Sequence, residues 1–265
     1  MEREIEMQKT DIEWADMTWN PVVGCKHNCD YCYARRIAKR FGGYDKGDGT
    51  ITTHNPLPRA ELHQPLTVTR SNGKTVNSSF PFGFEPTLLR YRLEEPQHIK
   101  EQQTIFVCSM ADLFGRWVPT RWIVEVLDAC AAAPQHRYMF LTKNPERYGQ
   151  LEELALLPHR DNFWYGSTVT GKDSKRFGGS IMLNTFLSIE PLHEYLDAGL
   201  GSFGSDRLII IGAETGNRAG KITPEKAWVD NIVEAADLTH AAVFMKDSLK
   251  PIVGRLNMRR ELPWD

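Results

Sequence analysis

Cys25-Lys26-His27-Asn28-Cys29-Asp30-Tyr31-Cys32 places three thiols within eight residues at the spacing C-x3-C-x2-C, while Cys108 and Cys130 stand alone in apolar surroundings. Thiolates are metal ligands, and three on one short loop can hold three irons of a cubane [4Fe–4S] cluster, leaving the fourth iron open, whereas electron-transfer clusters usually take four cysteines. An open iron can chelate the amino and carboxylate groups of S-adenosylmethionine, and one-electron reduction then cleaves a carbon–sulfur bond to give a 5′-deoxyadenosyl radical. The competing ligation is a structural zinc ion with His27 or His54 as fourth ligand. Zinc sites usually come as paired Cys or Cys/His sets, and neither remaining cysteine belongs to a second pair, which weighs against zinc. An odd cysteine count with one tight cluster suits a reducing cytosol, since a disulfide would leave one thiol over.

The elements that must position this loop follow from hydrophobic patterning. Residues 18–24 read as an extended run feeding the cysteines. From Tyr33 onward Ala34, Ile37, Ala38 and Phe41 recur at i, i+3, i+4 and i+7 with basic residues between them, so an amphipathic helix follows, ended by Gly42-Gly43. Residues from about 42 to 79 are rich in Gly, Pro, Asn, Ser and Thr and read as an inserted excursion with one hairpin. Strand-like runs then recur at 80–85, 104–109, 138–142, 163–167, 185–189, 208–212 and 242–246, which with the first makes eight. Several are continuously apolar, as parallel strands covered on both faces are, and 121–133 and 224–236 read as intervening helices. The expected fold class is α/β, a parallel (β/α) barrel of TIM type, complete or partly open, with residues 1–265 as one domain. A doubly wound open sheet has the same local signature.

The apolar runs stop at polar residues. Val107 leads to Cys108-Ser109-Met110-Ala111-Asp112, Leu141 to Thr142-Lys143, Gly166 to Ser167, Ile189 to Glu190, Ile211 to Gly212-Ala213-Glu214, and Met245 to Lys246. In a parallel barrel these C-terminal strand ends converge on one mouth, where such folds place ligands. Any single position can equally begin a solvated loop. The recurrence makes Ser109, Asp112, Thr142, Lys143, Ser167, Glu190 and Glu214 candidates for cofactor or substrate contacts, because hydroxyls and carboxylates meet sugar hydroxyls and Lys143 can pair with a carboxylate or phosphate.

The cysteine spacing, with an aromatic before the last cysteine, resembles the motif of the radical SAM superfamily. That resemblance implies that Cys25, Cys29 and Cys32 ligate the cluster and that Tyr31 lies near the adenine. Gly83-Phe84-Glu85 is similar to the superfamily's Gly-Gly-Glu element, with Phe84 in place of the middle glycine, which implies a role for Glu85 near the methionine amino group. Ile12-Glu13-Trp14, Thr18-Trp19-Asn20-Pro21, Phe106 through Phe114, Leu141 through Arg147, Ser188-Ile189-Glu190-Pro191-Leu192 and Gly212-Ala213-Glu214-Thr215-Gly216 resemble a family of phage and bacterial three-cysteine proteins of unassigned function, over about residues 11–250. Many of its members have a longer gap between the first two cysteines. The Cys-x-Tyr-Cys-Tyr ending of the loop, Cys29 to Tyr33, is also similar to the spore photoproduct lyase branch, in which a thiol returns a hydrogen atom to a substrate radical. By that resemblance Cys108 is a candidate catalytic thiol, against its plainer reading as a small core residue; Cys130 reads as packing.

Lys and Arg number 32 against 34 Asp and Glu, a net charge of −2, which excludes a strongly basic nucleic-acid coat protein but not a basic patch. Basic residues gather at Arg35-Arg36 with Lys39-Arg40, at Lys172 with Lys175-Arg176, and at Arg255 with Arg259-Arg260, with Trp117, Trp122 and Trp164 among the strands. These permit a phosphate-bearing substrate, although exposed arginines on a helix are most often simply solvated. Three functions remain open: a radical SAM enzyme modifying or repairing a nucleobase, nucleotide or nucleic acid; one acting on a peptide or small metabolite; and a noncatalytic zinc or iron–sulfur module serving a partner protein. Either enzyme requires an external electron donor. No apolar stretch approaches the ~20 residues that span a bilayer and the first residues have no apolar core of a secretory signal, so the expectation is a cytoplasmic protein of a bacterium or phage-infected host with no membrane partner.

Overall fold

The computed structural model describes residues 7–41, 60–69, 73–178, 182–198 and 203–265. In chain order the elements are β1 (Gln8–Lys9), β2 (Met17–Trp19), β3 (Val22–Val23), α1 (Tyr33–Phe41), β4 (Ala60–Leu62), β5 (Thr67–Thr69), β6 (Thr75–Asn77), β7 (Thr87–Leu89), β8 (Thr104–Val107), α2 (Thr120–Ala131), β9 (Arg137–Thr142), α3 (Glu146–Glu153), β10 (Phe163–Thr168), β11 (Asn184–Ile189), β12 (Leu208–Ile211), α4 (Lys226–Thr239), β13 (Ala242–Met245) and α5 (Lys250–Val253). Eight of the strands form one sheet in the order β1-β2-β8-β9-β10-β11-β12-β13. Pairing is antiparallel for β1 with β2 and parallel for β2 with β8, β10 with β11, β11 with β12 and β12 with β13. The architecture is a mixed α/β fold built on a large, mostly parallel sheet. Every residue of β8, β11 and β12 is buried, including Thr104 of β8 and Asn184, Thr185 and Ser188 of β11; β12 is wholly apolar, as parallel strands covered on both faces often are.

Two expectations are corrected. Residues 80–85 form turns instead of a strand: Gly83 N–H donates to the Phe80 carbonyl (3.2 Å), Glu85 N–H donates to that of Phe82 (3.3 Å), and Gly83 takes the left-handed φ of +64°. Pro81 lacks a ladder donor and Gly83 reverses the chain, so the apolar Phe80-Pro81-Phe82 pattern is spent on a turn, and the strand begins at Thr87. The run 18–24 also divides at Asn20-Pro21, with β2 in the large sheet and β3 in a smaller one ordered β3-β7-β4. The eighth strand of the large sheet is thus β1, a two-residue edge. Gly42-Gly43, His54 and much of the 42–79 excursion lie outside the described residues; within the described part β5 and β6 pair as an antiparallel hairpin.

The chain divides into two compact units, residues 1–11 with 15–138 and residues 12–14 with 139–265. In the first, α1 buries Ala34 and Ala38 and turns Arg36, Lys39 and Arg40 to solvent, joining a small core of Val23, Ala38, Phe80 and Leu89. Helix α2 buries Trp122, Ile123, Val126, Leu127 and Cys130, a stripe of helical period. Glu61 of β4 fastens this region by accepting from Arg90 Nε (2.8 Å) and Trp122 Nε1 (2.9 Å), and also pairs with Arg121. In the second unit a continuous apolar core runs from Leu187 and Ile189 through Ile209, Ile211 and Val243 to Val229, Ile232 and Ala236 of α4. Helix α4 ends where His240 turns left-handed (φ 56°) and Ala241 N–H donates back to the Ala236 carbonyl (3.0 Å), which satisfies a terminal carbonyl.

Candidate metal centre and strand-end residues

The cysteine loop leaves β3 through Gly24, whose φ is +87° and whose absent side chain matters: a Cβ there would lie 2.3 Å from the Glu85 carbonyl oxygen and 2.7 Å from that of Phe84. Both obstacles are backbone and cannot swing away. Gly24 N–H donates to the Met110 carbonyl (3.0 Å) and Cys25 N–H to the Phe84 carbonyl (3.1 Å), so the loop starts clamped between residues 84–85 and 110–111. Asn28 supplies the left-handed turn between the first two cysteines (φ 58°), a conformation Asn tolerates better than most residues, and its side chain accepts from Arg35.

All three cysteines are half-buried and free of disulfides. Cys32 Sγ accepts the Arg35 backbone N–H at 3.4 Å, one of the first-turn donors of α1 that has no partner within the helix. Burial pushes the Cys25 thiol up to about 12, with Asp112, Cys29 and Cys32 adding to the rise against a backbone hydrogen bond from His27, so metal binding at Cys25 must displace a proton.

Several sequence candidates meet at this loop. Asp112, nearly buried, lies 2.6 Å from His27 Nε2 and also accepts the Phe114 N–H at 3.1 Å. The Trp117 ring meets His27 edge-on at 4.8 Å. Glu85 forms an ion pair with Lys26 at 3.0 Å. Ser109 donates its hydroxyl to Asn20 Oδ1 (3.2 Å), which also accepts the Met110 N–H (2.9 Å), while the Tyr33 hydroxyl donates to the Ser109 carbonyl (2.9 Å). Tyr31 is half-buried within the loop. Cys108 directly follows β8 with a left-handed φ of 60°; burial first, and Asp112 less, push its thiol up to about 12, against a backbone hydrogen bond from Val22 and the Arg92 charge, so it stays an S–H. Cys130 is buried in α2, as packing requires.

Two buried donors beside the loop have no hydrogen-bond partner: Arg35 Nε, whose guanidinium also lies 5.4 Å above the Phe84 ring, and Trp117 Nε1. An unmatched buried donor costs about 1–3 kcal/mol, so each is suited to an acceptor that arrives with a bound group. Among the described residues no three His, Cys, Asp or Glu side chains gather to hold a single metal ion. A cubane presents its irons at separate corners, so its thiolates need not converge on one point. Three thiols, a helix N-terminus and two unmatched N–H donors fit an anionic iron–sulfur cluster.

The remaining candidates lie in the second unit. Glu190, just past β11, accepts from Ser188 Oγ (3.1 Å) and pairs with Lys246 Nζ (2.8 Å); a Cβ on Gly212 would fall 2.5 Å from its Oε1. Glu214 is buried and held by Arg218 through Nε (2.7 Å) and Nη2 (2.8 Å), with His193 Nε2 at 3.2 Å. Hydrogen bonds from Arg218 lead the causes that keep its carboxyl below the usual range, despite the opposing effect of burial. Thr142 and Ser167 accept main-chain N–H groups, from Asn144 (2.9 Å) and Phe177 (3.0 Å), and so brace their own loops. Lys143 is half-buried. Patterning alone missed Gly24, Asn20, Arg35, His193, Arg218 and Lys246 as partners. For Gly24 and Asn20 the signal lay in Gly preceding Cys25 and Asn preceding Pro21; for the others the contacts are made only on folding.

The fold and the loop define a class: an α/β protein whose mostly parallel sheet follows an early three-cysteine loop. In fold the chain is similar to a solved structure, "Spore photoproduct lyase complexed with dinucleoside spore photoproduct", with a TM-score of 0.53 over 92% of this chain and 80% of that one, at 9% identity. Residues 9–250 match the family described as "Protein of unknown function (DUF5131)", and the chain belongs to that family. No match was found among curated proteins. Among the described residues no helix is long and apolar enough to cross a membrane.

Proposed function

We infer that the protein is a radical SAM enzyme acting on a nucleobase, nucleotide or nucleic acid, with Cys25, Cys29 and Cys32 holding a [4Fe–4S] cluster. The observation that carries this is the clamped three-thiol loop with its two unmatched donors, in a fold similar to that of a lyase solved with a dinucleoside photoproduct. When bound, the cluster and S-adenosylmethionine supply one-electron reductive cleavage of a carbon–sulfur bond to a 5′-deoxyadenosyl radical.

The chain's own residues do the rest. Gly24 lets backbone segments 84–85 and 110–111 close on the start of the loop. The Arg35 N–H holds Cys32 Sγ, and Arg35 Nε with Trp117 Nε1 stand ready to donate to the negative charge that three thiolates and sulfides bring. His27 is pinned by Asp112 and so keeps the middle of the loop against residues 109–112. Tyr31 and Glu85 border the same loop and are the assigned cofactor contacts there, with Ser109 and Asp112. Cys108, kept protonated, carries the hydrogen atom that a substrate radical would take back. Lys143, Thr142, Ser167, Glu190 and Glu214 are the polar strand-end groups of the second unit. The reductant is an external electron donor, and a three-thiol loop suits a reducing compartment.

The test is anaerobic reconstitution with iron and sulfide, followed by reduction with S-adenosylmethionine and mass-spectrometric detection of 5′-deoxyadenosine. The expected result is product from the native chain and none from Cys29→Ala. Retention of one zinc per chain, or a stable cluster that never cleaves S-adenosylmethionine under strong reduction, defeats the proposal.

A further inference from the structure

A cavity of about 490 Å³ opens in the second unit where the loops that follow β10, β11 and β12 meet. Its walls are Thr170, Asp173 and Ser174 after β10, His193 and Glu194 after β11, and Ile222 after β12. Crevices beyond the carboxyl ends of parallel strands are where open and closed α/β sheets take ligands, and the volume falls within the roughly 300–1,000 Å³ of small-molecule sites.

The walls are tied together before any ligand arrives. The Ser174 hydroxyl accepts the N–H groups of Thr170 (3.0 Å) and Gly171 (3.2 Å). His193 N–H donates to the Thr170 carbonyl (3.2 Å), and Lys172 N–H donates to Glu194 Oε1 (2.5 Å), so the two loops are stitched to each other. Behind the wall, Glu214 is buried and ionised by Arg218, and it can therefore only accept from His193 Nε2, which fixes the imidazole ring against the cavity.

The lining chooses the ligand. Two carboxylates, two hydroxyls, one imidazole, one aliphatic side chain and Gly171 line the space, and among the described residues neither lysine nor arginine lines it. A phosphate would meet Asp173 and Glu194 as like charges, and a wholly apolar ligand would strip them of water without return. Vicinal hydroxyls suit this set: they donate to carboxylates and accept from the Ser174 and Thr170 hydroxyls. An acidic side chain meeting a ribose hydroxyl is a recurrent device at the ends of parallel strands. The Ile222 side chain offers the one apolar surface, suited to the flat face of a base.

We propose that this cavity binds a ribonucleoside by its 2′,3′-diol, with Asp173 and Glu194 as the diol acceptors and Ile222 under the base. The inference names a substrate class and does not rest on the cluster, because binding can be read on the chain without iron. The probes are uridine and cytidine, which share no base with S-adenosylmethionine, each compared with its 2′,3′-dideoxy analogue by titration calorimetry on the full chain. At least one nucleoside is expected to bind saturably, with its dideoxy analogue and the Asp173→Asn variant each weaker by about tenfold or more. Ile222 is on the exposed rim, so Ile222→Trp sets a bulky ring where the base would lie without disturbing the core, and is expected to weaken binding by about tenfold or more while the circular dichroism spectrum and Tm stay unchanged. No saturable binding of either nucleoside, equal affinity for the dideoxy analogues, or undiminished binding by a folded Ile222→Trp protein overturns the proposal. Failure of S-adenosylmethionine cleavage would leave all of these readouts intact.

Discussion

Gly24→Ala tests whether the cysteine loop is held as described. The left-handed φ of +87° costs an alanine about 1–2 kcal/mol. The added Cβ would stand 2.3 Å from the Glu85 carbonyl oxygen, 2.5 Å from its carbon and 2.7 Å from the Phe84 carbonyl oxygen, so residues 84–85 must move. Overpacking of this kind costs about 1–3 kcal/mol more, and the shift pulls the Phe84 carbonyl off the Cys25 N–H, a further loss of about 1 kcal/mol. The expected destabilisation is about 3–6 kcal/mol. Gly83→Ala isolates the conformational part: its φ is +64°, but nothing lies within 4 Å of a Cβ there, so about 1–2 kcal/mol is expected. Urea unfolding of the three proteins, read as a change in midpoint at constant slope, gives the comparison, and iron bound per chain after reconstitution gives the functional side. If Gly24→Ala costs no more than Gly83→Ala and binds iron as the native chain does, the clamp is refuted.

The other predictions concern charges. A double-mutant cycle of His27→Gln and Asp112→Asn in urea unfolding should return a coupling of about 1–2 kcal/mol from their 2.6 Å contact, and a coupling near zero would show that the contact does not hold the loop. Glu214 has a lowered carboxyl pKa in the folded chain, so it adds stability above its unfolded pKa, about 4.3, that is lost as the pH falls through the folded value. Glu214→Gln should therefore be destabilised at pH 7, and the gap to the native chain should shrink below about pH 4; a gap independent of pH would sink the assignment. Asp206 is opposite in sign: burial raises it from 3.8 to about 6, so the folded chain holds its proton longer and stability falls as pH rises from about 4 to 6. Asp206→Asn should flatten the stability profile across that interval, by up to about 3 kcal/mol, and an unchanged profile counts against its burial.

Much of the fold was legible because its signals are local. The runs that became β8 and β10 to β13 are apolar without alternation, a pattern set by burial on both faces, and α1, α2 and α4 announce themselves by stripes at helical spacing. Residues 80–85 misled because alternating Phe and Pro or Gly satisfies a strand pattern and a turn equally, and the Pro81 and Gly83 backbones decide for the turn. Strands β1 and β4, of two and three residues, carry too little pattern to be seen and exist by virtue of their partners β2 and β7.

For the site, the sequence by itself determined the donor set: three thiols at C-x3-C-x2-C, the helix that begins one residue after Cys32, and the polar residues that end each strand. Spacing along the chain governs what a short loop can ligate, so this much needs no fold. Only the tertiary structure decided which groups surround those thiols. Asp112 reaches His27 across 85 positions and Asn20 reaches Ser109 across 89, contacts whose geometry comes from packing and not from any neighbour in sequence. The same is true of the cavity of the second unit, where three loops with no shared motif acquire a common chemistry because parallel strands end side by side.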